Sequence, residues 1–239
     1  MSNVALITGA SQGLGQTLAH FLAAQGYDLI ITARSADALQ ATARQLERYG
    51  SHVLAVAGDV TDPVHRRELV TAAESLDGLD LLVNNASFLG PSPQPQLVDY
   101  PQEIMEQVFA VNVLAPVALV QDLLPMLQRT GGLVVNISSD AAVGGYAGWG
   151  GYGASKAALD LISLTLANEL REQGVAVVSV DPGDMRTQMH QEAFPGEDIS
   201  DRPLPDVTLP FWGWLLGQKR LAVSGQRFQA QAEQWTIAT

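Results

Sequence analysis

Residues 4–15 read VALITGASQGLG, and this stretch decides the fold class. Val4–Thr8 is a short apolar run typical of a buried strand, and the amphipathic pattern of Leu14–Gln25 predicts a helix directly after it. The glycines of Thr8-Gly9-Ala10-Ser11-Gln12-Gly13-Leu14-Gly15 let the chain turn tightly and approach a ligand closely. A pyrophosphate bound at this turn would lie at the helix N-terminus, which favours negative charge. The stretch therefore predicts the first unit of a dinucleotide-binding α/β domain.

The rest of the chain continues this alternation of strand and helix. Further apolar runs cover Asp28–Ala33, His52–Gly58, Leu79–Asn84, Leu133–Ser138 and Val175–Val180. Helical patterns cover Ala36–Tyr49, Pro63–Ser75, Gln102–Arg129 and Ala154–Glu172. Near-continuous apolar strands between helices indicate a parallel sheet covered on both faces. We predict a single α/β domain over residues 1–239, a Rossmann-type doubly wound parallel sheet of about seven strands, with Arg220–Val223 as candidate for the seventh.

The composition excludes several classes of site and partner. The chain has no cysteine, and its four histidines lack metal-ligand spacing, so we expect no disulfide and no metal site. The net charge of -12 argues against nucleic acid or an anionic membrane as a partner. No run approaches the roughly 18 apolar residues of a membrane span, and the N-terminus lacks the basic region of a signal peptide. We expect a cytoplasmic protein.

One long segment, residues 184–219, interrupts the alternation. It is rich in proline, carries Trp212 and Trp214, and follows the carboxyl end of a predicted strand, where open α/β sheets bind ligands. Irregular segments of this length in compact domains are usually functional or mobile. We predict a lid over the substrate, with a docked surface loop or a subunit contact as the alternative.

Further motifs follow the glycine turn in order along the chain. They are Asp59-Val60, Asn84-Asn85-Ala86, Asn112, Ser138-Ser139, Tyr152-Gly153-Ala154-Ser155-Lys156, and Pro182-Gly183 with Thr187. Together with the spacing Thr-Gly-x-x-x-Gly-x-Gly of the turn, they resemble the short-chain dehydrogenase/reductases from Val4 to about Thr187. One departure is Ser87, which stands where that family has a glycine.

The resemblance implies a nicotinamide dinucleotide cofactor and a set of residues that bind it. These residues are Gly9, Ser11, Gln12, Gly13, Leu14, Gly15, Arg34, Asp59, Val60, Asn85, Tyr152, Lys156, Pro182, Gly183 and Thr187. Ala33 stands where an NAD-type site places a carboxylate for the ribose 2′-hydroxyl, and Arg34 can bind a 2′-phosphate instead. We therefore expect NADP(H) to be preferred and NAD(H) to be a weaker alternative, since Gln12 supplies no second basic group.

Tyr152 and Lys156 are the central catalytic candidates. Residues four apart share a helix face, so the ammonium is expected beside the phenol. Its charge and that of the oxidised nicotinamide would together lower the tyrosine pKa toward neutrality. Tyr152 would then act as general acid or base. Ser139 and Ser138 compete for a third role; Ser139, 13 positions before the tyrosine, fits the family spacing better. By resemblance, Asn112 completes the tetrad by holding a water in a proton relay with Lys156.

These residues indicate an oxidoreductase that transfers hydride between NADP(H) and a carbonyl or alcohol group of a small-molecule substrate. A 3-oxoacyl-type ketoreductase is one alternative, and a catalytically silent nucleotide-sensing relative is another. The resemblance also implies a homodimer or homotetramer built through the fourth and fifth predicted helices.

Overall fold

The computed structural model describes residues 2–237 and contains one sheet. Its strands are β1 (Val4–Thr8), β2 (Asp28–Ala33), β3 (Val53–Ala57), β4 (Leu81–Asn84), β5 (Leu133–Ile137), β6 (Ala176–Asp181) and β7 (Arg227–Gln229). All neighbouring strands are parallel, in the order β3-β2-β1-β4-β5-β6-β7. The predicted fold class, a doubly wound parallel α/β sheet, is confirmed.

Helices connect the strands along the described residues. They are α1 (Gly13–Ala24), α2 (Ala36–Leu46), α3 (Pro63–Ser75), α4 (Gln102–Phe109), α5 (Ala115–Thr130), α6 (Ala141–Gly144), α7 (Gly150–Leu170), α8 (Gln188–Ala193), α9 (Leu209–Leu216) and α10 (Arg220–Val223). A π-helical turn, Ala110–Leu114, joins α4 to α5, and 3₁₀ turns cover Glu47–Tyr49, Leu97–Asp99, Arg171–Gln173 and Pro205–Thr208.

Both faces of the sheet are covered by an apolar layer, as the strand sequences require. Ala5 and Ile7 of β1 belong to the layer formed with α1, α2 and α9, whereas Val4 and Leu6 belong to the layer formed with α3, α5 and the end of α7. Successive strand residues point to opposite faces, so a strand that is apolar throughout needs helices on both sides.

The seventh strand lies later in the chain than the sequence predicted. Arg220–Val223 forms α10, so its assignment as a strand is wrong, and Arg227–Gln229 is the strand that pairs with β6. A four-residue apolar run does not distinguish strand from helix by its pattern. The guanidinium of Arg220 donates to Asp80 and to the carbonyl oxygens of Thr130 and Gly131, which holds α10 at the opposite end of the sheet from the site.

The helix predicted over Gln102–Arg129 contains a π-helical turn. Asn112 and Val113 lie in this turn and are buried. π-helical turns inside α-helices are rare and frequently mark functional sites. The whole segment, residues 102–130, has the length and composition of a membrane-crossing helix, but its apolar side chains pack against the sheet in this fold, which accounts for that composition.

The sheet order places a crevice at the end of β1. The chain moves outward from β1 to β2 and β3, then returns to β4 on the other side of β1. Open α/β sheets bind ligands at such a switch point, beyond the carboxyl ends of the strands. The glycine turn after β1 and Asn85 after β4 therefore both border the crevice.

The segment 184–219 divides into two parts. Residues 188–193 form α8 beside the crevice, whereas Phe211, Trp212 and Leu215 of α9 are fully buried in the layer with α1. Because α9 is packed into the core, it does not act as a lid. The lid prediction is therefore restricted to residues 184–203.

Candidate active site

A cavity of about 490 Å³ opens at the switch point of the sheet. Its lining includes every residue predicted to bind cofactor except Gly15, and every predicted catalytic residue except Asn112. Both exceptions lie one layer behind the lining, where they pack against residues that face the cavity. The fold thus brings together residues that are up to 178 positions apart, from Gly9 to Thr187.

The glycine turn is built so that only glycine fits at two of its positions. A Cβ on Gly9, which has φ +67°, would lie 2.8 Å from Asn85 Nδ2, and a Cβ on Gly15 would lie 2.3 Å from the Gly9 carbonyl oxygen. Asn85 Nδ2 donates to the carbonyl oxygens of Thr8 and Gly9 and so fixes the turn. These contacts keep the start of α1 open toward the cavity.

The N-terminus of α1 is suited to a phosphate group. Gln12 at the N-cap makes no side-chain cap hydrogen bond, and the first turn of α1 holds no acidic residue. Its backbone amides and the helix dipole are therefore available to an anion in the cavity. The residues present fit a dinucleotide whose pyrophosphate lies at this turn.

A second part of the cavity, beyond β2 and β3, suits an adenosine group. Arg34, Asp59 and Val60 line it. Burial raises the pKa of Asp59, but hydrogen bonds from the backbone and hydroxyl of Thr61 and the nearby charge of Arg34 hold it below its ordinary value. Arg34 is exposed and, within residues 2–237, forms no ion pair, so its guanidinium is free to bind a phosphate.

Tyr152 and Lys156 lie on one face of α7 at the other end of the cavity. Both are buried, and the Lys156 Nζ is 5.5 Å from the centre of the Tyr152 ring. The ammonium donates to the carbonyl oxygen of Ile137 at 2.7 Å. The helix spacing therefore places the two side chains together as the sequence predicted.

The protein groups alone shift the pKa of Tyr152 opposite to the predicted direction. Burial raises the pKa of Tyr152 to about 12; a hydrogen bond with Ser87 lowers it, and the negative charges of Asp181 and Asp140 raise it. Burial also lowers the pKa of Lys156 to about 8, opposed by the charge of Asp160. Spacing alone predicted the neighbouring cation but not the burial, which disfavours the charged form of both groups.

The two candidate serines have different surroundings. Ser139 Oγ donates to Asp140 Oδ1 at 3.0 Å and accepts from the backbone amide of Ala141 at 3.1 Å. Ser138 is buried, and its hydroxyl has no partner among the described protein groups. Both serine residues belong to the lining of the cavity, so the choice of Ser139 stays a prediction.

Asn112 supports the site from the π-helical turn. Its amide donates to Phe88 O and Ser155 Oγ, and its Oδ1 accepts from Ser87 Oγ at 3.1 Å and from the backbone amide of Phe88 at 2.8 Å. These four bonds use the whole hydrogen-bonding capacity of the side chain. Asn112 thus holds the segment after β4 against α7, and its role in a water relay stays a prediction.

Ser87 and Arg227 are contacts that the sequence did not identify as part of the site. Ser87 links the side chains of Asn112 and Tyr152. Arg227 of β7 donates to Asp160, to Asp181 and to the carbonyl oxygen of Ser139. In the sequence, only the replacement of the family's glycine by Ser87 indicated that this residue is unusual. Arg227 lies after the segment that was wrongly assigned as the seventh strand, and no sequence pattern marked it as part of the site.

Comparisons with known proteins agree with this geometry. A family model described as short chain dehydrogenase matches residues 3–198. Serine 3-dehydrogenase of Rhizobium radiobacter is 36% identical over 190 residues, which cover 79% of this chain and 74% of that protein. The rhamnolipids biosynthesis 3-oxoacyl-(acyl-carrier-protein) reductase of Pseudomonas aeruginosa is 33% identical over 232 residues, covering 92% of this chain and 88% of that protein.

A solved structure extends the similarity to the whole fold. L-sorbose reductase from Gluconobacter frateurii, determined with NADPH and L-sorbose, superimposes with a TM-score of 0.85 at 27% identity, over 95% of this chain and 94% of that one. The range that the family model matches, residues 3–198, contains the glycine turn and the predicted catalytic residues Asn112, Ser139, Tyr152 and Lys156. Because fold, motif order and sequence agree over most of its length, the chain belongs to the short-chain dehydrogenase/reductase family of oxidoreductases.

Proposed function

We propose that the protein transfers hydride between NADP(H) and a carbonyl or alcohol group of a small molecule. The observation that carries this proposal is the continuity of one cavity from Arg34 and the start of α1 to Ser139, Tyr152 and Lys156. Bound there, NADP(H) supplies the hydride for carbonyl reduction and takes it up in alcohol oxidation.

Tyr152 transfers the proton in this proposal. With its pKa raised to about 12, the phenol holds its proton at neutral pH, ready to give it to a carbonyl oxygen. Ser139 Oγ donates a hydrogen bond to the same oxygen after turning from Asp140. Lys156 keeps its charge near pH 7 because its pKa of about 8 lies above that value, and the charge favours the phenolate left after transfer.

The residues at the end of β2 support a preference for NADP(H). Ala33 and Arg34 line the cavity, whereas Asp37 belongs to the first turn of α2 and does not. A guanidinium can make charge-assisted hydrogen bonds to a 2′-phosphate, and a carboxylate at this position would repel it. The NADPH bound to the sorbose reductase is consistent with this assignment.

The alternative functions are less well supported. A nucleotide-sensing protein without turnover does not need Tyr152, Lys156 and Ser139 together, yet all three line the cavity. A 3-oxoacyl-type ketoreductase is favoured by the similarity to the rhamnolipids biosynthesis enzyme. The carboxylates of Asp140, Asp181 and Asp184, which line the Tyr152 end of the cavity, oppose it, because a phosphopantetheine arm carries a negative phosphodiester.

A homo-oligomer is part of the proposal. Leu114 in the π-helical turn and Leu161 and Leu164 on α7 remain 64%, 66% and 46% exposed in the single chain. Large apolar side chains exposed on the two long helical segments are suited to contact with a second copy. Sedimentation of the purified protein tests this part.

The experiment is a screen of ketones and aldehydes that follows NADPH absorbance, repeated with NADH. We expect kcat/KM to favour NADPH by at least about tenfold, or about 1.4 kcal/mol. Ala33→Asp combined with Arg34→Ala should reverse this preference. Arg67→Ala, which removes the same charge from an exposed position on α3, is the matched control and should leave the preference unchanged. Equal efficiency with NADH in the unmodified protein would refute the NADP(H) assignment.

A further inference from the structure

The cavity extends beyond Tyr152 into a region that the cofactor motifs do not explain. This region is lined by apolar side chains, which we call the apolar wall: Phe88, Leu89, Trp149, Met189 and Ala193. Trp149, Met189 and Ala193 pack against Leu89 and Tyr152 in a cluster separate from the two layers that cover the sheet. The apolar wall therefore shapes the cavity instead of supporting the sheet.

Aromatic rings continue in a row from the phenol of Tyr152. The ring centres of Tyr152 and Trp149 are 5.9 Å apart at an interplanar angle of 70°. Trp149 and Phe194 are also 5.9 Å apart, and Phe194 and His190 are 4.9 Å apart. Such separations are typical of favourable aromatic contacts. A carbonyl group held by the Tyr152 phenol has its substituent next to Trp149.

Charges at this end of the cavity disfavour an anionic substrate. Asp140, Asp181 and Asp184 line it. Arg227 pairs with Asp181, and Arg202 pairs with Asp184, but neither arginine is part of the lining. Lys156 is buried against the Ile137 carbonyl oxygen. His190 also lines this end, and its ring faces the Asp184 carboxylate at 3.9 Å. Arg34 lies at the adenosine end of the cavity. Among the described lining residues near Tyr152, no arginine or exposed lysine is therefore placed to bind a carboxylate or phosphate on the substrate.

We infer that the substrate is a planar aromatic or heteroaromatic carbonyl compound, or the matching alcohol, without an anionic group. Its ring packs against Trp149 while its carbonyl oxygen meets Tyr152 and Ser139. This inference rests on the proposed function and specifies its substrate class. Aromatic pairs contribute about 0.5–1.5 kcal/mol beyond area burial, which corresponds to a discrimination of about two- to twelvefold.

The test compares benzaldehyde with cyclohexanecarbaldehyde, which have the same carbon skeleton but differ in planarity. Conjugation makes benzaldehyde less electrophilic, so the quantity to follow is the ratio of the two kcat/KM values across variants, in which intrinsic reactivity cancels. Trp149→Leu should lower this ratio by about three- to tenfold. Trp149→Phe keeps a ring and should retain most of the ratio. An unchanged ratio in Trp149→Leu would overturn the inference.

Binding without turnover gives a second readout that does not depend on activity. In the Tyr152→Phe background with NADP⁺ bound, calorimetry should give tighter binding of benzyl alcohol than of cyclohexylmethanol. Trp149→Leu should remove the difference, and Trp149→Phe should preserve most of it. Equal binding of the two alcohols before substitution of Trp149 would count against stacking.

The charge requirement is tested with 4-formylbenzoate and its methyl ester. We expect kcat/KM for the ester to be at least about tenfold higher than for the acid. Repulsion between the carboxylate of the acid and one partly exposed aspartate of the lining can produce a difference of this size. Asp184→Asn should narrow this gap, whereas Glu74→Gln, an equal charge change on the exposed face of α3, should not. Equal rates for the acid and the ester would refute the charge requirement.

Failure of this inference is distinguishable from failure of the proposed function. Both aldehydes could be reduced, and Tyr152→Phe could abolish both activities, while Trp149→Leu leaves the ratio of the two kcat/KM values unchanged. In that case the inferred substrate class is wrong and the proposed reaction is right. If no carbonyl compound of any class consumes NADPH, the proposed function fails and the substrate class fails with it.

Discussion

Replacing Lys156 by methionine should change how the free energy of unfolding depends on pH, because burial of the charged ammonium destabilises the folded state. Its pKa falls from 10.5 to about 8 on folding. Each pKa unit corresponds to about 1.4 kcal/mol, so at neutral pH the charge destabilises the folded state by roughly 3 kcal/mol. Between the two pKa values the unfolded chain binds more protons than the folded one. The contribution of Lys156 to the free energy of unfolding therefore rises as the pH increases from about 8 to 10.5.

The assay is urea unfolding of the Tyr152→Phe protein and of Tyr152→Phe combined with Lys156→Met, from about pH 7 to about pH 10. The shared Tyr152→Phe substitution removes the titration of the phenol. Across this range, the free energy of unfolding of the lysine-containing protein should rise relative to that of the methionine variant by roughly 2 to 3 kcal/mol. Loss of the hydrogen bond to Ile137 adds an offset that does not depend on pH. A difference that stays constant with pH would refute the buried, destabilised ammonium.

Three further predictions concern the surroundings of the site. Ser87→Gly restores the family's residue and removes the hydrogen bond that lowers the pKa of Tyr152, so this pKa should rise further. The pH profile of alcohol oxidation should then shift to higher pH and the rate should fall by about two- to tenfold, with cofactor affinity unchanged. An unmoved pH profile would mean that Ser87 does not act on the phenol. Asp140→Asn should raise the rate of alcohol oxidation at fixed pH by at most a few-fold, because it removes a negative charge that opposes the phenolate; a lower rate would contradict this. Hydrogen exchange should show residues 184–203 becoming protected when cofactor and substrate bind, whereas residues 209–216 are protected throughout; strong protection of residues 184–203 in the free protein would argue against a lid.

Most of the fold could be predicted from the sequence because it depends on local patterns. Apolar runs between helical patterns indicate a parallel sheet, and the glycine turn indicates where the sheet begins. The short strand at Arg227–Gln229 could not be predicted, because it depends on pairing with β6 and not on its own pattern. The π-helical turn at Asn112 was also hidden, since an apolar helical pattern continues through it.

The candidate site was predictable in its membership but not in its electrostatics. Motif order places Tyr152, Lys156 and the glycine turn correctly in one cavity. The direction in which the protein shifts the tyrosine pKa depends on burial, and on Asp181 and Asp140 from other parts of the chain, so spacing within one helix does not determine it. The apolar wall also needs the structure, because its residues come from three separate segments of the chain.

The most direct test of the central claim is the rate of the Tyr152→Phe variant, measured with its affinity for NADPH. The claim is that the Tyr152 phenol transfers the proton during carbonyl reduction. Phenylalanine removes only the phenol oxygen, so NADPH affinity should stay within about threefold while turnover falls by roughly 10²–10⁴. A variant that binds NADPH normally and keeps more than about a third of the unmodified rate would show that another group transfers the proton.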